Sequence, residues 1–158
     1  MGLAPEHAVH PFAPVWDVRC RVLVLGSFPS VRSRQVGFYY GHPQNRFWRV
    51  LAAVFASETP QTMAEKRRFL LSHGIALWDV IASCEITGSA DSSIKNVVAN
   101  DLSPILTAAD IRQIFVNGKT AEKYYRKYTE AATGRAAVCL PSTSPANAAW
   151  SMERLIAA

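Results

Sequence analysis

The sequence is poor in cysteine and shows none of the common spacings of metal ligands. Its 158 residues include only three cysteines, which are far apart and form no CxxC pair: Cys20, Cys84 and Cys139. This pattern argues against a disulfide framework, a closed zinc site and a four-thiolate iron–sulfur cluster. The four histidines show no HxxxH or HExxH spacing. We therefore expect no metal and a reducing, cytoplasmic location.

Long apolar runs are missing as well. No run approaches the roughly 18 residues that a membrane-spanning helix needs. The N-terminal segment contains Glu6, His7 and three prolines by position 14, whereas a secretory leader has a basic start followed by an apolar stretch. The sequence predicts a protein without a membrane span.

What remains is an ordinary globular composition with an excess of positive charge. Hydrophobic residues make up 49% of the chain and charged residues 18%. A single domain over residues 1–158 can bury roughly two-thirds of its unfolded surface, and the proline-rich residues 1–18 are predicted to form an extended arm. The net charge of +5 permits a polyanionic partner, although many proteins this basic bind no nucleic acid.

Strand-like and helix-like segments alternate along the chain. Apolar runs that end in turn residues predict buried strands at 21–26, 75–81, 111–118 and 135–140. Helical periodicity predicts helices at 45–55, 62–74, 101–109, 119–132 and 145–158, with a polar connection at 83–101. Asn45, Thr62 and Ser103 are the predicted N-caps. The alternation predicts an α/β fold, a three-layer α/β/α sandwich around a mostly parallel four-stranded sheet.

Polar clusters follow each of the four predicted strands. Because ligands of open parallel sheets bind beyond the carboxyl ends of the strands, these clusters are expected to meet on one rim. No GxGxxG, GxxxxGK[ST] or GxSxG motif is present, so the residues give no support for a dinucleotide, a nucleoside triphosphate or a hydrolase elbow. We expect no organic cofactor.

The rim contains groups suited to a nucleotide. Ser142, Thr143 and Ser144 precede the last predicted helix and could hold phosphate oxygens, although capping of that helix is the commoner role of such a tripeptide. Lys119 could meet a phosphate or remain solvated. The segment "GFYYGHPQNRFW" at 37–48 adds several aromatic rings, and such rings can stack on a base whose backbone is held nearby.

One long segment carries a family resemblance. The stretch "LGSFPSVRSRQVGFYYGHPQNRFWRVL" at 25–51 resembles the first motif region of the uracil-DNA glycosylase superfamily. It is most similar to the hypoxanthine-DNA glycosylase branch and also resembles the mismatch-specific uracil and thymine glycosylases, which share "HPxNRFW". The motifs "LWDV", "GSADSSI", "NGKTAEKYY" and "LPSTSP" follow in the family's order.

The resemblance implies a DNA repair enzyme of the same fold that flips out a deaminated base and hydrolyses its N-glycosidic bond, with hypoxanthine in deoxyinosine as the expected substrate. The implied partner is DNA containing a deaminated base, and we expect a monomer. No lysine is singled out as a Schiff-base nucleophile, so strand cleavage is not expected. Two alternatives stay open: a uracil or mismatch-specific uracil glycosylase, and a module that binds a nucleotide or damaged DNA without chemistry.

The resemblance also implies roles for individual residues. Phe28 stands where the mismatch-specific enzymes have their catalytic Asn, and an apolar ring cannot hold a water. The match to the catalytic Asn of the hypoxanthine branch is Asn45, and Tyr40 matches the ring that stacks on the flipped base. Ser142 and Ser144 match the second motif, which holds the DNA backbone; Ser144 replaces its apolar wedge residue.

The chemistry of the residues completes the predicted site. An Asn amide can donate to the departing base and its carbonyl can orient water, whereas Asn45 could also serve only as a helix cap. Asp79 could contact a base or a water, or cap a helix. The other expected base contacts are Ser27, Phe28, Tyr40, His42 and Gln44. The expected DNA contacts are Ser30, Lys119, Ser142, Thr143 and Ser144.

Overall fold

The computed structural model describes residues 6–10, 13–28, 38–41, 45–87 and 93–143 of the chain. The seven strands of these ranges are β1 (Glu6–Val9), β2 (Val22–Gly26), β3 (Ile75–Asp79), β4 (Ile81–Ile86), β5 (Lys95–Ala99), β6 (Gln113–Asn117) and β7 (Val138–Leu140). The helices are α1 (Phe47–Val54), α2 (Met63–Ser72), α3 (Ser103–Ala108), α4 (Lys119–Tyr124) and α5 (Glu130–Thr133), with a π-helical segment, Tyr125–Thr129, between the last two.

The centre of the fold is a four-stranded parallel sheet in the order β3-β2-β6-β7. Its strands coincide with the four predicted apolar runs. Leu23 and Leu25 point to one face and Val24 to the other, as the two-residue repeat of a strand requires. Because both faces are buried, each strand is a nearly continuous apolar run, which is why the sequence predicts them well.

Helices cover both faces of this sheet. On one face Val24 and Leu77 pack with Phe47 and Trp48 of α1 and Leu70 of α2. The opposite face packs against a set that includes Ile105 of α3, Ala121 of α4 and the π-helical Tyr125. The predicted three-layer α/β/α architecture is confirmed.

A second, three-stranded antiparallel sheet in the order β1-β4-β5 was not predicted. The expectation of a polar connection at 83–101 is wrong, because β4 and β5 occupy much of it. The β4–β5 pairing has register shifts between Ile81, Ser83 and Glu85, so the two-residue alternation that identifies a strand is broken. Strand β1 lies within the predicted arm and pairs antiparallel with β4.

Two predicted helix starts need adjustment. Thr62 caps α2 as expected, since its Oγ1 accepts the backbone N–H of Glu65 at 3.0 Å. The N-cap position of α3 is Leu102 and not Ser103, and Asp101 just before it accepts both the N–H and the hydroxyl of Ser103 through Oδ1. Helix α1 begins at Phe47, whose N–H donates to Asn45 Oδ1 at 2.9 Å. The helix expected at 145–158 lies outside the described residues.

Within the described ranges no helix combines the length and apolarity needed to cross a bilayer.

Candidate active site

The carboxyl ends of the parallel strands bring several polar groups to one edge of the sheet. Gly26 of β2 is the register partner of Asp79 of β3, and Asn117 of β6 is the partner of Leu140 of β7. These positions are the last residues of their strands. The expected rim therefore exists at the edge where ligands of parallel sheets bind.

Three side chains join the two predicted motif regions at this rim, and we call this set the Asn45 junction (Asn45, Asn117 and Thr143). The Thr143 hydroxyl donates to Asn45 Oδ1 at 2.9 Å and accepts from Asn117 Nδ2 at 3.1 Å. The Thr143 N–H donates to Asn117 Oδ1 at 3.2 Å, and the Arg46 N–H donates to the Thr143 carbonyl at 3.1 Å. Thr143 is buried, so the junction fixes the position of the start of α1 relative to the end of β7.

The junction also settles which end of the Asn45 amide is engaged. Its Oδ1 accepts two hydrogen bonds, one from the Phe47 N–H and one from the Thr143 hydroxyl. Because a backbone N–H can only donate, the atom facing it must be the carbonyl oxygen. Within the described part of the chain the hydrogen bonds of the Asn45 side chain thus use Oδ1, and Nδ2 is the end that can donate to a ligand.

Tyr40 lies beside the junction in an unusual backbone conformation. Its φ angle is 52°, in the left-handed region that non-glycine residues seldom adopt. One face of its ring stacks on Phe47 with centroids 4.1 Å apart and planes at 19°, so a base could stack only on the opposite face. Burial raises the pKa of the Tyr40 phenol, and the Asp79 charge raises it further.

A buried pair of ionisable groups lies at the end of β3. His10 Nε2 is 2.7 Å from Asp79 Oδ2, and each side chain is only 5% exposed. When the carboxylate is ionised it can only accept a hydrogen bond, and Nε2 is then the donor. The other carboxylate oxygen, Oδ1, lies so close to Gly26 that a Cβ there would overlap it.

The remaining predicted site residues fall at the same edge or outside the described residues. Ser27 is half-buried, and its carbonyl accepts the Ile81 N–H at 3.1 Å. Phe28 packs its ring edge-on to His10 with centroids 6.0 Å apart. Lys119 is the exposed first residue of α4, and Ser142 packs against Gly118. Four candidates lie outside the described residues: Ser30, His42, Gln44 and Ser144.

Sequence reasoning missed two residues of this edge, His10 and Asn117. His10 stands among the prolines of the predicted arm, 69 residues before its partner, and no spacing rule connects the two. Asn117 carries a signal that could have been used, because it is the polar last residue of an apolar strand. Aligning the strand ends would have placed it beside the loop that carries Thr143.

Comparisons with known proteins place these features in a family context. The sequence model of the uracil DNA glycosylase superfamily matches residues 13–157. A hypoxanthine DNA glycosylase of Methanosarcina acetivorans is 34% identical over 145 residues, which are 90% of each chain. A hypoxanthine DNA glycosylase of Methanosarcina barkeri is 34% identical over 118 residues, 72% of this chain and 73% of that one.

A solved structure has the same fold. The solution NMR structure of a candidate uracil DNA glycosylase from Methanosarcina acetivorans superimposes with a TM-score of 0.78 at 33% identity. The match covers 91% of this chain and 89% of the other.

Proposed function

The chain belongs to the uracil DNA glycosylase superfamily, and from this premise we propose that it hydrolyses the N-glycosidic bond of hypoxanthine in DNA that contains deoxyinosine. The names of the two Methanosarcina relatives support this substrate. The reaction requires the nucleotide to leave the base stack, the departing base to be stabilised as it gains negative charge, and water to reach the sugar.

The Asn45 junction is the observation that carries the proposal. With Oδ1 held by the Phe47 N–H and the Thr143 hydroxyl, the amide cannot rotate without losing both bonds. Nδ2 is therefore a preoriented donor, and such a donor costs no reorganisation when charge develops on the base. Loss of one donor of this kind typically costs about 3 kcal/mol of transition-state stabilisation.

The two hydrogen bonds to the Asn45 side-chain carbonyl limit the catalytic roles that this residue can have. The sequence allows this amide to orient water as well as to donate to the base. Oδ1 already accepts two hydrogen bonds, which fill its two lone pairs. We assign Asn45 to the departing base and not to the water.

The other groups of the edge fit the same reaction. In this proposal a flipped base stacks on the Tyr40 ring face opposite the one that is packed on Phe47. Thr143, which is buried and bonded within the junction, holds the two motif regions together, whereas Lys119 at the exposed start of α4 is suited to the DNA backbone. By the family resemblance Phe28 stands where the mismatch-specific enzymes have their catalytic Asn, and its ring packs against His10.

Excision assays on matched duplexes test the proposal. Purified protein is incubated with duplexes that differ at one position, which carries deoxyinosine, deoxyuridine, thymine opposite guanine, or an undamaged adenine as the control. Abasic sites are then cleaved with alkali. We expect deoxyinosine to be processed fastest and the undamaged duplex to remain intact.

Two other results would replace the proposal. Faster cleavage at deoxyuridine would identify a uracil glycosylase. Binding of all duplexes without cleavage of any would identify a binding module.

A further inference from the structure

The buried pair of His10 and Asp79 has a place in the site that sequence motifs do not explain. The two residues are 69 positions apart in the sequence. His10 directly follows β1, and Asp79 is the last residue of β3. Their contact is 2.7 Å long and both are 5% exposed. A buried carboxylate is costly unless it is paired and hydrogen-bonded. The burial of this pair therefore calls for a functional or structural explanation.

Both partners are held in place by their surroundings. The backbone N–H of His10 donates to the Ala82 carbonyl at 2.7 Å, and its ring packs near Phe28 and Tyr39. Asn100 Nδ2 donates to the backbone carbonyl of Asp79 at 2.9 Å. The carboxylate is therefore oriented through both its side chain and its backbone.

The second carboxylate oxygen of Asp79 lies beside Gly26, near the Tyr40 hydroxyl. Asp79 Oδ1 lies against the Cα of Gly26, where a Cβ would overlap it, and the same Cβ would stand 2.9 Å from the Tyr40 hydroxyl. A glycine at this position makes room for the carboxylate beside the proposed stacking ring. Oδ1 is thus the Asp79 oxygen on the side of Gly26 and the proposed stacking ring, whereas Oδ2 is engaged by His10.

A carboxylate oxygen at this point suits the change that deamination makes in a purine. A flipped base is read on its Watson–Crick edge, where adenine presents an unprotonated N1, a hydrogen-bond acceptor, next to an amino group. Hypoxanthine has an N1–H donor next to a carbonyl. An ionised carboxylate can only accept, so it attracts the N1–H of hypoxanthine and repels the N1 of adenine.

We propose that His10 is a positioning residue for base selection: it holds Asp79 so that Oδ1 accepts the N1–H of hypoxanthine. This inference rests on the proposed function, because it assumes that the excised base stacks on Tyr40. His10 itself does not touch the base in this account.

The competing explanation is that the pair only fastens the N-terminal segment to the sheet. Three variants separate the two explanations. His10→Leu removes the donor and retains bulk, whereas His10→Gln offers an amide N–H at similar reach. Tyr39→Phe removes another contact that holds the N-terminal segment, the hydrogen bond from the Tyr39 hydroxyl to the Ala13 carbonyl at 2.9 Å.

The measurement is the single-turnover rate at saturating enzyme on two duplexes, with folding of each variant checked by denaturation. One duplex carries deoxyinosine and the other carries 2′-deoxynebularine, whose base has an unprotonated N1. We expect His10→Leu to slow hypoxanthine excision by roughly tenfold to a hundredfold, the effect of losing one hydrogen bond to a charged group. His10→Gln should recover most of this loss, and the preference for deoxyinosine over deoxynebularine should fall in His10→Leu alone.

The inference is overturned if folded His10→Leu excises hypoxanthine at the wild-type rate, if His10→Gln is as slow as His10→Leu, or if Tyr39→Phe lowers the preference equally. If the wild-type protein does not excise hypoxanthine at all, the proposed function fails first. The wild-type reaction therefore distinguishes failure of the proposed function, in which wild type is inactive, from failure of the His10 inference, in which wild type is active.

Discussion

At the scale of single residues, Thr143 connects parts of the site that are far apart in the sequence. Its hydroxyl lies between Asn45 Oδ1 and Asn117 Nδ2, 98 and 26 residues away. The hydroxyl donates to the Asn45 amide and accepts from the Asn117 amide, so one side chain holds both amides in place. The orientation of Asn45 depends on a residue that does not need to touch the base.

Replacing Thr143 by valine should therefore reduce both stability and activity. The isosteric Thr143→Val leaves Asn117 Nδ2 without its acceptor and frees Asn45 Oδ1 from one donor. We expect a loss of about 1–3 kcal/mol in the free energy of unfolding and a clear loss of excision rate, measured by chemical denaturation and single-turnover kinetics. Thr143→Ser, which retains the hydroxyl, is the matched control. Wild-type kinetics in Thr143→Val would show that the bridge does not orient Asn45.

Gly26 gives a second test at this scale. Gly26→Ala places a Cβ against Asp79 Oδ1 and near the Tyr40 hydroxyl, so the carboxylate or the ring must move. Overpacking of this kind costs about 1–3 kcal/mol of stability, and the excision rate should fall at least tenfold, roughly the loss of one hydrogen bond at the site.

The control for Gly26→Ala is Gly134→Ala. Gly134 has a φ angle of +66°, and no atom of the described residues lies within 4 Å of an added Cβ, so the cost of the substitution comes from the backbone. This variant should lose stability and keep its excision rate. Equal rates for Gly26→Ala and wild type would mean that the space around Asp79 Oδ1 is not needed.

At the scale of secondary-structure elements, sequence patterns are reliable where residues close together in the chain determine the structure. Helix α2 begins where the capping pattern predicts, with the Glu65 N–H donating to Thr62 Oγ1 at 3.0 Å. The Glu65 carboxylate in turn accepts the Gln61 N–H at 3.1 Å, one residue before the position expected for a capping box.

Thr62→Ala should accordingly destabilise the fold by about 1 kcal/mol. Thermal or chemical denaturation measures this difference. Thr59→Ala is the control, because the Gln61 side chain donates to the backbone carbonyl of Thr59, and this hydrogen bond survives the substitution. An unchanged midpoint in Thr62→Ala would mean that the start of α2 frays in the native protein.

Elements whose identity depends on distant partners were not predictable. Strand β1 is four residues long and pairs with β4, about 75 positions later, in a register such as Ala8 with Cys84. The same limit applies to the site: Asn45, Tyr40 and Asp79 stand in recognisable motifs, whereas His10 becomes relevant only because the antiparallel sheet brings it to Asp79. Contacts across such separations leave no local pattern in the sequence.

At the scale of the whole molecule, the net charge of +5 is expected to act through DNA phosphates. Affinity for an undamaged duplex should fall steeply as salt rises, because each neutralised phosphate contributes about −0.9 to the slope of log affinity against log salt concentration. The rate of base excision at saturating enzyme should depend much less on salt.

Two substitutions with the same change in charge locate this effect. Lys119 follows the carboxyl end of β6, on the side of the proposed site, whereas Arg112 precedes β6 at the opposite edge and pairs with Asp110. Lys119→Ala should weaken binding and reduce the salt slope by about one, and Arg112→Ala should change the slope little. Equal effects would show that only the overall charge matters.

The most direct test of the account is the excision rate of Asn45→Asp on a duplex containing deoxyinosine. An aspartate retains an oxygen that can accept from both the Phe47 N–H and the Thr143 hydroxyl, so the helix start and the junction survive. It replaces the Nδ2 donor by a second acceptor. We predict a folded protein whose single-turnover rate is lower by about a hundredfold to a thousandfold. Excision by Asn45→Asp at the wild-type rate would contradict the account, because it would reduce Asn45 to a helix cap.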